Sequence, residues 1–126
     1  MIYADLIGKS FADGGRGPDA YDCFGLFEEL CKRRGLALPA EPNPIGVEQK
    51  DAAIQAAIGR GEWVKIITPE PFCAVVFRMI PPFVSHIGMV LDGGRFIHIR
   101  RGANVAIERL DSVVWRSRIA GYYAHA

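Results

Sequence analysis

Three side chains in this sequence could act together as a nucleophile, a base and a group that holds the base: Cys23, His86 and His98. Cys23 follows a run dense in turn residues, Asp13-Gly14-Gly15-Arg16-Gly17-Pro18-Asp19, and opens a segment where Cys23, Leu26, Phe27, Leu30 and Cys31 recur at helical spacing. A cysteine in the first turn of a helix meets unpaired backbone N–H groups and the positive end of the dipole. Both favour thiolate and are expected to lower the thiol pKa. The same N–H groups could hold an oxyanion. The position suits a small buried apolar residue equally well, so location alone leaves nucleophile and core evenly matched. Cys31, in mid-helix, and Cys73, at the start of a strand, have no activating context and read as core.

The two histidines lie in adjacent apolar runs, Ser85-His86-Ile87-Gly88-Met89-Val90-Leu91 and Arg95-Phe96-Ile97-His98-Ile99, joined by Asp92-Gly93-Gly94. Side chains alternate between faces along a strand. With a three-residue loop, residue 91 faces 95 and residue 88 faces 98. His86 and His98 then share a face as diagonal neighbours, about 7–8 Å apart between Cα atoms. A two-residue loop would put them on opposite faces. Gly94 suits the left-handed position that three-residue loops favour, so the shared face is expected. A histidine that activates a cysteine must itself be held by a third group, and His98 is placed to hold His86. The competing reading is two unrelated histidines on a half-buried sheet. His125, one residue from the C-terminus, reads as disordered.

The elements that must position these residues follow from the patterning. Residues 1 to 8 read as a short helix with Ile2, Leu6 and Tyr3 inward. The Cys23 helix is capped by Asp22 or Asp19 and ended by Gly35, with Lys32, Arg33 and Arg34 in its last turn, where cations suit the dipole. Gly25, which costs that helix roughly 1 kcal/mol relative to alanine, leaves room for a substrate or a neighbouring element. Pro39, Pro42 and Pro44 make an extended connection to a second, Ala-rich helix over 47–58, ended by Gly59 and Gly61. From Trp63 the pattern becomes β-like, with strands near 63–67, 73–79, 85–91, 95–100, 104–108 and 118–124. Helices first and a meander of strands second predict an α+β fold, an antiparallel sheet packed on the early helix. Trp63, Trp115 and Tyr122 are read as core side chains before cleft side chains.

The 126 residues suit one domain, 1–126, able to bury a core. Half are hydrophobic and 23% charged, a globular and not a disordered composition. A net charge of +1 gives no footprint for nucleic acid or an anionic membrane. Lys32-Arg33-Arg34 and Arg100-Arg101 read as solvated faces or helix ends. Three cysteines without a CxxC pair argue against a zinc site, and neither metal nor cofactor is expected. No run approaches the roughly 18 apolar residues of a membrane span, and no signal peptide is seen. The expectation is a chain made in the cytoplasm with reduced thiols, delivered by other means if its substrate lies outside.

The motifs resemble a known family. Tyr21-Asp22-Cys23-Phe24-Gly25-Leu26-Phe27 is similar to the aromatic-Asp-Cys-Ser-Gly-Leu-Val nucleophile motif of the NlpC/P60 cysteine peptidases, papain-like hydrolases of bacterial cell-wall peptides. His86-Ile87-Gly88-Met89-Val90-Leu91 resembles the family's His-Val-Gly-Ile-Tyr-Leu strand, and Phe96-Ile97-His98 its Phe-Ile-His, in the same order over Gly14 to about Tyr123. Gly15 to Cys23 and Trp115 to Tyr122 look most like the phage-tail and prophage branch. The resemblance implies Cys23 as nucleophile, His86 as base then acid, His98 as its orienting partner, and backbone near Cys23 holding the oxyanion. It further implies a peptidoglycan peptide substrate, with Asp22, Phe24 and Ser85 bordering it, and phage-tail proteins as partners. Departures are Phe11, where many members carry a tyrosine whose hydroxyl lines the site, Phe72-Cys73 in place of a Gly-Asp pair, and Phe24 where serine is common. Two alternatives remain beside the peptidase: a structural phage-tail component with the same fold and little activity, and a related amide or acyl hydrolase acting elsewhere.

Overall fold

A computed structural model describes residues 2–39 and 44–126. Met1 in the expected first helix and Pro42 in the expected extended connection lie outside the described residues. The chain starts with a single 3-10 turn, Ala4–Leu6, in place of a helix over 1–8. It cannot continue, because Gly8 takes a positive φ of 87° and its N–H donates to the Val105 carbonyl at 3.0 Å. Lys9 then accepts from the Val105 N–H, so the chain start is laced to a later segment. Strands β1 (Ser10–Phe11) and β2 (Ala20–Tyr21) pair in parallel, a ribbon too short to leave an alternating pattern.

Helix α1 (Cys23–Arg33) forms as its stripe dictates, with Cys23, Leu26, Phe27, Leu30 and Cys31 all buried. Asp22 caps it, accepting from the Gly25 N–H at 2.6 Å. Gly35, at φ 82°, closes the other end, where the Leu36 N–H returns to the Cys31 carbonyl. Arg33 pairs with Asp5 and Glu29 and also donates to the Ile2 carbonyl, so it anchors the chain start instead of standing in solvent. Helix α2 (Val47–Gly59) buries only Ile54 and has no side-chain cap. It is tied down by Asp51, which accepts from the Val84 N–H at 2.9 Å, two residues before His86.

The sheet comprises β3 (Trp63–Ile66), β4 (Ala74–Phe77), β5 (His86–Val90), β6 (Arg95–His98), β7 (Ala106–Arg109) and β8 (Ile119–His125). All its pairings are antiparallel, in the order β3-β8-β4-β5-β6-β7. The expected α+β class holds, and β4 to β7 form the expected meander, which β8 leaves. The last strand enters between β3 and β4, pairing Trp63 with His125 on one side and Ala74 with Tyr123 on the other. Strand β4 is buried at all four residues and so needs a neighbour on each side. The β3–β4 link, with Pro69 and Pro71, is no tight hairpin and leaves the space that β8 fills. His125 is correspondingly ordered, at the end of β8 and edge-on to Trp63 at 4.9 Å.

The sheet has two packed faces. Leu26, Phe27 and Leu30 of α1 lie against Ala74, Met89 and Ile97 on one. On the other, Val75, Phe77, Val90 and Phe96 pack with Trp115 and Leu110. His86, Gly88 and Val90 alternate onto the second face, as do Phe96 and His98.

Candidate active site

The first turn of α1 is built by the loop before it. A Cβ on Gly25 would stand 1.9 Å from the Gly15 carbonyl oxygen, so the element for which Gly25 leaves room is this loop. The Asp22 N–H donates to that same carbonyl at 3.1 Å, and Arg16 Nη1 reaches Asp22 Oδ1 at 2.7 Å. Asp22 is thus buried as a helix cap and ion-pair partner. Its second oxygen, Oδ2, is buried with no partner among the described residues.

The hairpin has the expected three-residue register: Met89 faces Ile97, Val90 faces Phe96, and Leu91 donates to the Arg95 carbonyl. Gly93 and Gly94 both take positive φ, where one such residue was expected. His86 and His98 therefore meet, with His86 Nε2 2.7 Å from His98 Nδ1. Gly88 leaves space for this pair, since a Cβ there would lie 3.1 Å from the Cβ of His98. His98 Nε2 in turn lies 2.5 Å from Glu108 Oε2, a residue the sequence reasoning missed. Its one signal was a carboxylate within a strand, beside Ala106 and Ile107, informative only once the β6–β7 register is known. Trp115 walls the pair, parallel to His86 at 5.9 Å and edge-on to His98 at 4.7 Å, with Phe77 5.2 Å from His86.

Burial pushes the His86 pKa well below its ordinary value, and the charges of His98, Lys50 and Arg100 add to this. Burial lowers His98 as well, against the pull of Glu108. Both imidazoles are thus neutral near pH 7.

Cys23 and His86 line one cavity of about 170 Å³, with Ser85, Phe11, Lys50 and Arg100 also on its wall. The expectation of a lowered cysteine pKa is corrected. Burial pushes the Cys23 thiol up to about 11. The nearby Lys50 charge and hydrogen bonding from the backbone of Ile87 and Phe24 oppose this without overcoming it. A helix N-terminus stabilises an anion by only about 0.3–1 kcal/mol in exposed settings, less than the desolvation of a thiolate at so buried a sulfur. The resting pair is therefore thiol and neutral imidazole.

Ser85 lies on the Cys23 cavity and Asp22 behind it, while Phe24 points elsewhere. Phe24 lines a separate apolar cavity of about 120 Å³ with Phe27, Ile54, Trp63 and Val76. Trp63 is thus half-buried on a cavity wall, Trp115 is core, and Tyr122 packs at the edge of the second face. Phe11 presents its ring to the Cys23 cavity, with the Arg101 guanidinium 5.3 Å from the ring centre. Arg100 and Arg101, expected as a solvated pair, stand on the cavity rim. Cys31 and Cys73 are buried free thiols. Among the described residues no cluster of His, Cys, Asp and Glu is arranged to hold a metal ion, and no helix is long and apolar enough to cross a membrane.

The NlpC/P60 family model matches residues 8–123. Among solved structures, a Staphylococcus aureus protein described as similar to a lipoprotein of the NLP/P60 family superposes with a TM-score of 0.71 at 19% identity. It is matched over 98% of this chain and 39% of its own. A Bacillus cereus NlpC/P60 family protein gives 0.72 at 18% identity, over 95% of this chain and 36% of its own. The NlpC/P60 domain of the peptidoglycan hydrolase SagA gives 0.60 at 20% identity, over 99% of this chain and 95% of that domain. The chain therefore spans less than two fifths of the first two structures and nearly all of the third. No curated protein matches it.

Proposed function

We propose, from the premise that this chain belongs to the NlpC/P60 family, that it is a cysteine peptidase of bacterial cell-wall peptides. In this reading Cys23 is the nucleophile, His86 the base and His98 its orienting partner. The observation that carries the reading is the shared cavity of Cys23 and His86, with His86 Nε2 held by His98 at 2.7 Å. A neutral pair suits general-base attack. The Cys23 sulfur bonds to the peptide carbonyl carbon as its proton passes to His86. The carbonyl oxygen becomes an oxyanion facing the N–H groups at the start of α1. Collapse breaks the C–N bond, and His86 returns the proton to the leaving amine. Water, deprotonated by His86, then cleaves the thioester and restores the thiol. The peptidoglycan assignment draws support from the family and from the SagA domain. Lys50 and Arg100 on the cavity suit a peptide that carries carboxylates, while Arg101 is already paired with Asp13.

The test is digestion of purified muropeptides read by mass spectrometry. Cleavage that disappears in Cys23→Ala and falls by at least a hundredfold in His86→Ala is expected. A second reading, a structural domain with little turnover such as a phage-tail component, is favoured by Phe11, which brings no hydroxyl, and by the raised thiol. Intact muropeptides, with Cys23 alkylation unaffected by His86→Ala, would select it.

A further inference from the structure

A histidine is an ambiguous third member of a Cys–His arrangement. A carboxylate or an amide oxygen can only accept from the base, whereas a neutral imidazole either accepts or donates through Nδ1. The 2.7 Å contact between His86 Nε2 and His98 Nδ1 is satisfied both ways. Only one way leaves His86 with a lone pair on Nδ1, the nitrogen available to take the thiol proton. We propose that Glu108 resolves this choice, as a positioning residue that sets the tautomer of His98 and through it that of His86.

Glu108 Oε2 lies 2.5 Å from His98 Nε2. Burial works to raise the Glu108 pKa, but the hydrogen bond with His98 and the nearby Arg100 charge pull it down, and the carboxyl stays below its ordinary value and ionised. An ionised carboxylate only accepts. His98 must therefore donate from Nε2, which leaves Nδ1 bare to accept, and His86 donates to it from Nε2. The open lone pair of His86 falls on Nδ1. During attack His86 gains the thiol proton there and keeps its Nε2–H on His98, while His98 keeps its own Nε2–H on Glu108. No proton needs to reach the carboxylate. The other charges acting on the two histidines are Lys50 and Arg100, both cations, which disfavour charging either ring but do not choose a tautomer. Without Glu108, His98 is free to carry its proton on Nδ1 and donate to His86, which then holds its own proton on the wrong nitrogen.

Glu108 lies on β7, the strand at the sheet edge, paired with Phe96 and diagonal to His98. Its side chain is 39% exposed, so its removal leaves no hole in the core.

The inference rests on the proposed role of His86, and its test separates the two. Long-range ¹⁵N–¹H spectra of histidine-labelled protein report each ring's tautomer without reference to activity. Protein in which Cys31 and Cys73 are alanine reports Cys23 alkylation. In the parent, His86 and His98 should both carry the proton on Nε2. Glu108→Ala should move His86 toward the Nδ1–H form and slow alkylation about tenfold. Glu108→Gln, whose amide oxygen still accepts from His98, should restore most of both. In a His98→Asn background, where the third group is an amide, loss of Glu108 should have no added effect. His86 protonated on Nδ1 in the parent, or tautomers unchanged in Glu108→Ala, would overturn the inference. Tautomers as assigned beside an inert Cys23 would support it and overturn the proposed nucleophile instead.

Discussion

On the face of the sheet under α1, Leu26, Phe27, Leu30, Met89 and Ile97 interlock as aliphatic and aromatic side chains, while on the opposite face Phe77, Phe96 and Trp115 enclose two imidazoles. Both faces are packed, but for different ends. The α1 face gains stability from apolar burial alone, which is indifferent to pH. The histidine face holds two titratable rings neutral, and that neutrality has a thermodynamic cost whenever the solution would charge them.

Four experiments would sharpen or break this contrast. Trp115→Ala should have the largest effect, about 4 kcal/mol of lost stability in urea titrations, because Trp115 walls both histidines and fills the second face. It should also weaken the pH dependence described below, as water reaches the rings. Leu30→Ala on the α1 face, where the side chain is fully buried, should cost about 3 kcal/mol. Here the dependence on pH should stay that of the parent. A changed dependence in Leu30→Ala would mean that the faces are not separable.

Gly88→Ala should cost about 2 kcal/mol by overpacking. Its new Cβ would meet the Ile97 carbonyl at 2.9 Å and the His98 Cβ at 3.1 Å, in the space that now lets the two rings approach. A neutral result would show that the hairpin can relax around the pair. The last experiment reads the pH slope itself. The folded pKa values of His86 and His98 are depressed below the unfolded value of about 6.5. Below that pH the unfolded chain binds protons that the folded one refuses. Stability is therefore present in full above about pH 6.5 and falls on acidification, by about 1.4 kcal/mol per pH unit for each ring kept neutral. Urea midpoints that stay level between about pH 7 and 5 would remove the distinction between the faces.

The parts legible in advance were those with local causes. Helix α1 announced itself by its stripe, its Asp22 cap and Gly35. The 86–98 hairpin did so by a three-residue loop whose glycines fix its register, which is why the approach of His86 to His98 could be worked out from spacing alone. The misses have other origins. The seating of β8 between β3 and β4 and the ordering of His125 against Trp63 join segments far apart in the chain, and the β1–β2 ribbon is too short to leave a pattern. Lys50 is likewise brought to the Cys23 cavity from α2, whereas Glu108 is near His98 in the chain but meets it only through the β6–β7 register.

The sequence by itself determined which residues form α1 and the hairpin, and with them that a cysteine heads a helix and two histidines share a sheet face. Helix stripes, caps and turn glycines act over a few residues, so short stretches carry their own instructions. Only the tertiary structure decided the electrostatics of the site. Dipole, neighbouring charge and burial compete at Cys23, and burial, a property of everything packed around the sulfur, wins and raises the thiol to about 11.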